Sequence, residues 1–362
     1  MNENDDCLPF PGKIAIITNT ITNGEDDFHS AEQLVAKYGP DKIVHVTWPD
    51  NFLAEKGRMI NTVASLTDDR EIRVMIINQA IPGTNDAVDM FKGIRNDVFI
   101  LYCLVHESFT ESAKRANLIL MPDELGMGSE MVKQAKKQGT KAFIHYSFPR
   151  HMAHPHLAGC RDLAKETCAA EDIQFVEVTV PDPAGEAGVS GARQFIMEDV
   201  PRMVAKYGED TAFFCTNCSL QATLIKSVVD CHAIYPQPCC PSPLHGFPEA
   251  LGIELGDGFP NLSYVIGEAS SIAAEKNMTD RLSTWPVSSS MMCANAGAEY
   301  AIKWINGLVP KLAIDDRTLT DCMSDYIKEL VDENIEVSMT SYSDGNKTYD
   351  NFKLLLMGYL DY

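Results

Sequence analysis

From Lys13 onward the chain repeats one motif: a short β-branched apolar run, a polar or glycine turn, then an amphipathic stretch. Unbroken apolar runs suit strands covered on both faces, and parallel strands can be joined only by a long crossover, usually a helix. The pattern therefore predicts βαβ units and parallel sheets. In the first third the expected strands are 13–18 (KIAIIT), 42–46 (KIVHV), 73–78 (RVMIIN), 98–103 (VFILYC) and 117–121 (NLILM). After Gly139 the rhythm restarts with 141–145 (KAFIH), 174–179 (QFVEVT), 211–215 (TAFFC) and 262–266 (LSYVI). Two helices are expected at 295–306 and 319–333, then a helix or strand at 347–357. A length of 362 residues exceeds one ordinary core, so two doubly wound α/β lobes are expected.

Several function classes are disfavoured at once. Thr18 is followed by Asn19-Thr20-Ile21-Thr22-Asn23-Gly24, which matches neither the dinucleotide fingerprint nor the P-loop, so no cofactor is expected. A net charge of -21 repels phosphate backbones and argues against direct nucleic-acid binding. No apolar run reaches the roughly 18 residues that would suggest a membrane span. Eleven cysteines, an odd number without framework spacing, point to a reducing compartment. The acidic start Met1-Asn2-Glu3-Asn4-Asp5-Asp6 lacks the basic and apolar regions of an export signal. The expectation is cytoplasmic as the sequence stands, and extracytoplasmic if an export segment has been removed.

Open parallel sheets bind ligands beyond the carboxyl ends of their strands. The residues there are Asn19, Thr20, Asn78, Gln79, His106 and Glu107 in the first half, then 146–154 and Thr216-Asn217-Cys218 in the second. Within 145–156, HYSFPRHMAHPH, four of nine histidines crowd together, and His151, His154, His156 and Cys160 could surround zinc. Pro149 and Pro155 break the continuous helix that would align such ligands, so no metal is expected. A pocket wall is the better reading: Tyr146 and Phe148 offer aromatic faces, and Arg150 a bidentate clamp, with His151 beside them. That makes an anionic or zwitterionic small molecule the expected ligand.

Cys215 and Cys218 form a lone C-x-x-C, read as packing rather than a redox pair, and Cys239-Cys240 is expected to line the long loop 233–260. His106-Glu107 and Asp123-Glu124 supply acids and a base, but no activated nucleophile accompanies them. Trp48 offers either a stacking face or a capped apolar edge. No catalytic residue is expected.

In order along nearly the whole chain, the strand–helix alternation, ILMPDELGMGSEMVKQAKKQGTKAFIHY and TAFFCTNCSLQATLIKSV resemble the type I periplasmic solute-binding proteins. That fold is shared with the ligand-sensing domains of lactose-repressor-type regulators. More narrowly, HYSFPRHMAHPHLAGCRDLAKE and AIYPQPCCPSPLHGFPEALGIEL resemble an uncharacterised bacterial family, a domain of unknown function related to those proteins. The resemblance implies non-enzymatic binding of a small polar solute in an interlobe cleft, with Asn217 as a contact and a membrane permease as partner. Its alternatives are a cytoplasmic ligand sensor serving a separate regulator, and a metal- or thiol-dependent enzyme. Only twelve residues precede Lys13, against about 50–60 for a helix-turn-helix domain, so a complete repressor is not expected. The resemblance further implies an N-terminal lobe of 13–122 plus 284–310 and a C-terminal lobe of 123–283 plus 311–362. Three hinge crossings are expected at 123–126, 268–271 and 311–315, the second bringing Glu268 to the ligand.

Overall fold

The computed structural model describes residues 8–256, 260–331 and 334–362. The acidic start at 1–7, residues 257–259 of the long loop and 332–333 of an expected helix lie outside the described residues. The first segment runs β1 (Lys13–Thr18), α1 (Glu25–Tyr38), β2 (Ile43–Thr47), α2 (Lys56–Ser65), β3 (Ile72–Ala80), α3 (Thr84–Ile94), β4 (Phe99–Val105), α4 (Phe109–Ser112) and β5 (Leu118–Pro122). Next come α5 (Gly126–Lys137), β6 (Ala142–Ser147), α6 (Pro149–Met152), α7 (Pro155–Ala170), β7 (Gln174–Thr179), α8 (Gly188–Tyr207) and β8 (Thr211–Cys215). A 3-10 turn at Cys218–Leu220 leads to α9 (Gln221–Asp230), α10 (Phe247–Leu251), α11 (Leu262–Glu275) and β9 (Ser283–Thr284). The chain closes with α12 (Ser289–Ile305), α13 (Asp316–Val331), β10 (Val337–Asp344), β11 (Lys347–Met357) and β12 (Leu360–Asp361).

Two compact units emerge: Met1–Pro122 with Ser289–Glu329 and Glu336–Leu355, and Asp123–Ser288 with Leu330–Ile335 and Leu356–Tyr362. The first holds a seven-stranded sheet of order β10-β11-β5-β4-β3-β1-β2. Strands β1 to β5 pair in parallel, and β11 adds to β5 in parallel, Phe352 opposite Ile119. Residues of β1, β3 and β4 are buried almost without interruption, as expected of strands covered on both faces. One face packs Trp48, Phe91, Tyr102 and Phe352 into a continuous core. Helix α12 lies against β3, β4 and β5 and is buried along most of its length.

The strand at β11 places residues 347–355 in the first unit, whereas the sequence assigned everything after 310 to the second. Its cause is local: Gly345-Asn346 is a two-residue connection with Gly345 at φ 58, and a turn that short joins only antiparallel neighbours. Once β10 and β11 are tied as a hairpin, the apolar run FKLLL supplies the register on β5.

The second unit is built on a three-stranded parallel sheet of order β7-β6-β8. A fourth strand, expected at 262–266, is instead the first turn and more of α11. Asn261 caps it, its Oδ1 accepting the N–H of Tyr264 at 3.1 Å, and Leu262, Val265, Ala269 and Ala273 form one buried helical face. The five-residue window LSYVI is too short to separate strand from helix, and the 3.6-residue period becomes visible only beyond it. This also corrects the hinge: 268–271 lies inside α11, and 311–315 is an irregular connection within the first unit. The chain passes between units after Pro122, Ser288, Glu329, Ile335 and Leu355.

Helices α5 and α7 approach so closely that a Cβ on Gly128 would sit 2.2 Å from the backbone oxygen of Cys160. A backbone oxygen held in a helix cannot swing aside. Gly128→Ala should therefore destabilise the protein by about 1–3 kcal/mol, the usual cost of overpacking, despite the helix propensity of alanine, which is about 1 kcal/mol better than glycine. Urea unfolding monitored by circular dichroism measures this, and an unchanged or higher midpoint would contradict the close approach.

Candidate functional site

At the carboxyl edge of the first sheet, the loops after β1, β2, β3 and β4 converge on an open pocket of about 400 Å³. Its polar lining is Asn19, Asn23, Gln79 and His106; its apolar lining is Phe52, Leu53, Ile81 and Pro82. A larger hollow of about 590 Å³ opens beside Phe99 and Asn117, at the amino ends of β4 and β5. There the Lys353 ammonium is already satisfied by Asp316 and Ser341, and parallel sheets seldom bind ligands on that edge.

Beneath the carboxyl-edge pocket lies Asp27, on the first turn of α1 and only 1% exposed. The Asn19 Nδ2 donates to it at 3.0 Å, and Gln79 and Ser290 also hydrogen-bond to it. Burial raises its pKa to about 6, against those hydrogen bonds, which favour the ionised form. On its other side, the Gln79 Oε1 meets the His106 Nε2 at 2.9 Å. Asp27, Gln79 and His106 thus form a chain that sets the orientation of two of the pocket amides, Asn19 and Gln79: their N–H groups turn to Asp27, leaving the Asn19 oxygen able to accept from a ligand. The Trp48 Nε1 donates to the Gln79 carbonyl at 3.2 Å while its ring is buried in the core, so it braces this strand end and offers no stacking face.

The other sequence candidates of this unit have different placements. Thr20 hydrogen-bonds to Asp50 beside the pocket. Asn78 is fully buried, donating to the Ser30 Oγ at 2.9 Å and the Ser290 carbonyl at 3.2 Å, which ties β3 to α1 and α12. Glu107 accepts the N–H groups of Gly83 at 2.5 Å and Asn85 at 2.8 Å, capping α3, whose N-terminus favours a carboxylate.

In the second unit, Tyr146 is buried and its hydroxyl donates to Asp199 at 2.9 Å. Phe148 is 1% exposed, and its ring is covered by the His151 imidazole, centroids 4.1 Å apart, and by the Arg150 guanidinium at 5.1 Å. Arg150 itself grips Asp182 through two 2.8 Å hydrogen bonds, and this pair holds the Asp182 pKa down to about 2. The cation expected to anchor an anionic ligand is thus matched by an acid of its own unit. The His151 Nδ1 lies 2.9 Å from the Thr216 Oγ, and the Asn217 Oδ1 caps the following turn, accepting from the Ser219 N–H at 3.0 Å and its hydroxyl at 2.6 Å. Glu268 is exposed on α11, away from any strand end.

The histidines of 145–156 do not gather. His145 is buried between Phe175 and Phe214, and burial lowers its pKa to about 4; His154 and His156 are exposed. A different cluster does form. The Cys218 Sγ lies 3.5 Å from the Cys239 Sγ and 3.8 Å from the Cys240 Sγ, with the His245 Nε2 3.7 Å from Cys239. Hydrogen bonds from Cys239 and Cys240 hold the Cys218 thiol well below its ordinary pKa, and the same bonds raise the other two. Read separately, the lone C-x-x-C and the vicinal pair carried no such signal; the 20 residues separating Cys218 from Cys239 fit no recurrent ligand spacing. Asp27 was equally hidden, because an acid in a first helical turn usually faces water.

No helix among the described residues is long and apolar enough to cross a membrane. The chain is similar to a candidate transcriptional regulator from Clostridium difficile 630, with a TM-score of 0.88 and 20% identity over 98% of this chain and 100% of that one. It is also similar to a sugar ABC transporter protein from Actinomyces odontolyticus ATCC 17982, with a TM-score of 0.54 and 10% identity over 82% and 84% of the two chains. These likenesses establish the fold as that of the type I periplasmic solute-binding proteins. Two uncharacterised proteins of Treponema pallidum (strain Nichols) are also similar. One is 25% identical over 193 residues, 53% of this chain and 88% of that protein. The other is 27% identical over 178 residues, 48% of this chain and 80% of that protein. Residues 12–283 match the family described as protein of unknown function (DUF3798), and the chain belongs to that family.

Proposed function

We propose that the protein is a non-catalytic receptor for a small, electrically neutral polar solute, held at the carboxyl edge of the first unit's sheet and passed on to a membrane permease. The observation that carries this reading is the lining of the pocket: three amides and an imidazole around an apolar floor, with no Lys, Arg, Asp or Glu among the lining residues. Amides both donate and accept, as hydroxyl-rich solutes require, while Phe52, Leu53, Ile81 and Pro82 suit the C–H faces of such molecules. An anion would find no counter-charge among these residues. Chemistry is not the natural use of this lining either, since it offers no nucleophile beside the single imidazole. Delivery to a permease is the downstream step proposed because the fold is shared with a sugar ABC transporter protein.

Titrating neutral sugars, polyols and nucleosides, alongside carboxylates and phosphates, in a thermal-shift assay tests the reading. A neutral solute at 100 times its Kd should add about 2.7 kcal/mol of stability. His106→Ala, at an exposed position, should weaken that solute about tenfold, equivalent to one hydrogen bond of about 1.4 kcal/mol, and Arg150→Ala should leave it unchanged. Anions binding in preference, with loss on Arg150→Ala, would contradict the proposal.

Asp27 yields a separate prediction. Because its folded pKa, about 6, lies above the ordinary 3.8, the folded state binds more protons than the unfolded state between those values. Stability therefore falls as pH rises through that window. Relative to wild type, Asp27→Asn should gain about 3 kcal/mol between pH 3.5 and pH 7, from about 1.36 kcal/mol per pKa unit. Chemical denaturation of both proteins across the range reads this; parallel stability curves would show that Asp27 is not held in a desolvated site.

A further inference from the structure

We propose that Cys218, Cys239 and Cys240 hold one thiophilic divalent cation, zinc being the natural occupant, with His245, whose Nε2 lies 3.7 Å from the Cys239 Sγ, turning in as the fourth ligand. The argument is first geometric. A tetrahedral zinc ion with Zn–S near 2.3 Å and Zn–N near 2.0–2.1 Å spaces its sulfurs about 3.8 Å apart and a sulfur and nitrogen about 3.6 Å apart. The observed separations are 3.5 and 3.8 Å between sulfurs and 3.7 Å between the Cys239 Sγ and the His245 Nε2. All three sulfurs lie within 4.8 Å of one another. A disulfide requires about 2.05 Å, and all three cysteines are free.

Packing does not explain the cluster. Cys218 and Cys240 are exposed and Cys239 is half-buried, so the thiols are not simply filling a core in the manner of Cys160, Cys168 and Cys215. The surrounding backbone is stiffened at each ligand. Cys218 opens the turn capped by Asn217. Cys239 and Cys240 stand between Pro238 and Pro241, whose rings fix φ. His245 ends a turn in which its N–H donates to the Ser242 carbonyl at 3.1 Å and the Leu244 N–H to the Ser242 hydroxyl at 3.2 Å. Gly246 follows at φ 86, where an added Cβ would come within 3.1 Å of the Ala222 backbone nitrogen.

Three thiolates with the His245 imidazole as the fourth ligand would complete a tetrahedron and leave no open coordination position, so the site is structural, or responsive to metal supply, rather than hydrolytic. Each thiol that binds releases its proton to solvent. The consequence is a clamp that fastens the proline-rich segment after β8 to the end of that strand. A single ion is indicated over an iron–sulfur cluster, where thiolates on separate irons would spread the sulfurs beyond the edges of one coordination sphere.

The test uses the full chain, purified under reducing conditions, stripped by a chelator and titrated with Co²⁺ and then Zn²⁺. Expected are one equivalent bound per chain, intense visible bands of tetrahedral cobalt with thiolate charge transfer, bleaching by zinc, and protection of three thiols from a thiol-reactive reagent. Cys240→Ser, at an exposed position, and His245→Gln should each weaken cobalt at least tenfold while the circular-dichroism spectrum stays native; Cys231→Ser, outside the cluster, should change nothing. Absence of the tetrahedral cobalt spectrum, wild-type affinity in Cys240→Ser, an iron–sulfur chromophore in the purified protein, or a disulfide among the three cysteines under reducing conditions would overturn the proposal.

Discussion

A parallel strand cannot return by a tight turn, and that constraint organises everything functional in this chain. Each of β1 to β4 must hand the chain to a crossover before the next parallel strand can begin, so their carboxyl ends release loops along one edge of the sheet. The bodies of β1, β3 and β4 are buried almost without interruption and have few side chains to spare. Polar groups therefore collect at the strand ends, where Asn19 and His106, just past β1 and β4, and Gln79, near the end of β3, come within reach of one pocket although 87 positions separate the first from the last. The second unit obeys the same rule: Cys218 follows β8, and it is there that the three-cysteine cluster assembles.

What distinguishes the two units is how they handle charge. In the first, a carboxylate is withdrawn beneath the pocket and its cost is lowered by amide donors, so the lining presents oriented dipoles and no net charge. In the second, the cation nearest the strand ends is neutralised by its own acid, Arg150 by Asp182. An exposed pair of this kind adds little to stability, but it does occupy the guanidinium fork that a carboxylate ligand would need.

Much of the architecture was legible in the residues. Strands β1, β7 and β8 have the bounds that hydrophobic patterning predicts: β1 and β8 are buried almost throughout, β7 alternates exposed and half-buried residues, and turns flank each of them. LSYVI was misread as a strand because five apolar-rich residues carry no period, and 347–357 stayed open between helix and strand because its partner, β5, lies more than 200 positions away. At the candidate site, position relative to strand ends singles out Asn19, Gln79 and His106, which line one pocket. It was not enough to separate them from Asn78 and Glu107, one position before or after, whose side chains serve helix packing and capping instead. Asp27 and the three cysteines stayed invisible because their meaning depends on what folds against them.

The account rests most heavily on the neutral pocket of the first unit. A crystal structure with the neutral solute that most raises the thermal midpoint tests it most directly. Solute density hydrogen-bonded to Asn19, Gln79 and His106, with its apolar face on Phe52 or Leu53, is the predicted result. Density anchored instead on the Arg150 guanidinium, with Asp182 displaced and the first unit's pocket holding only water, would contradict it.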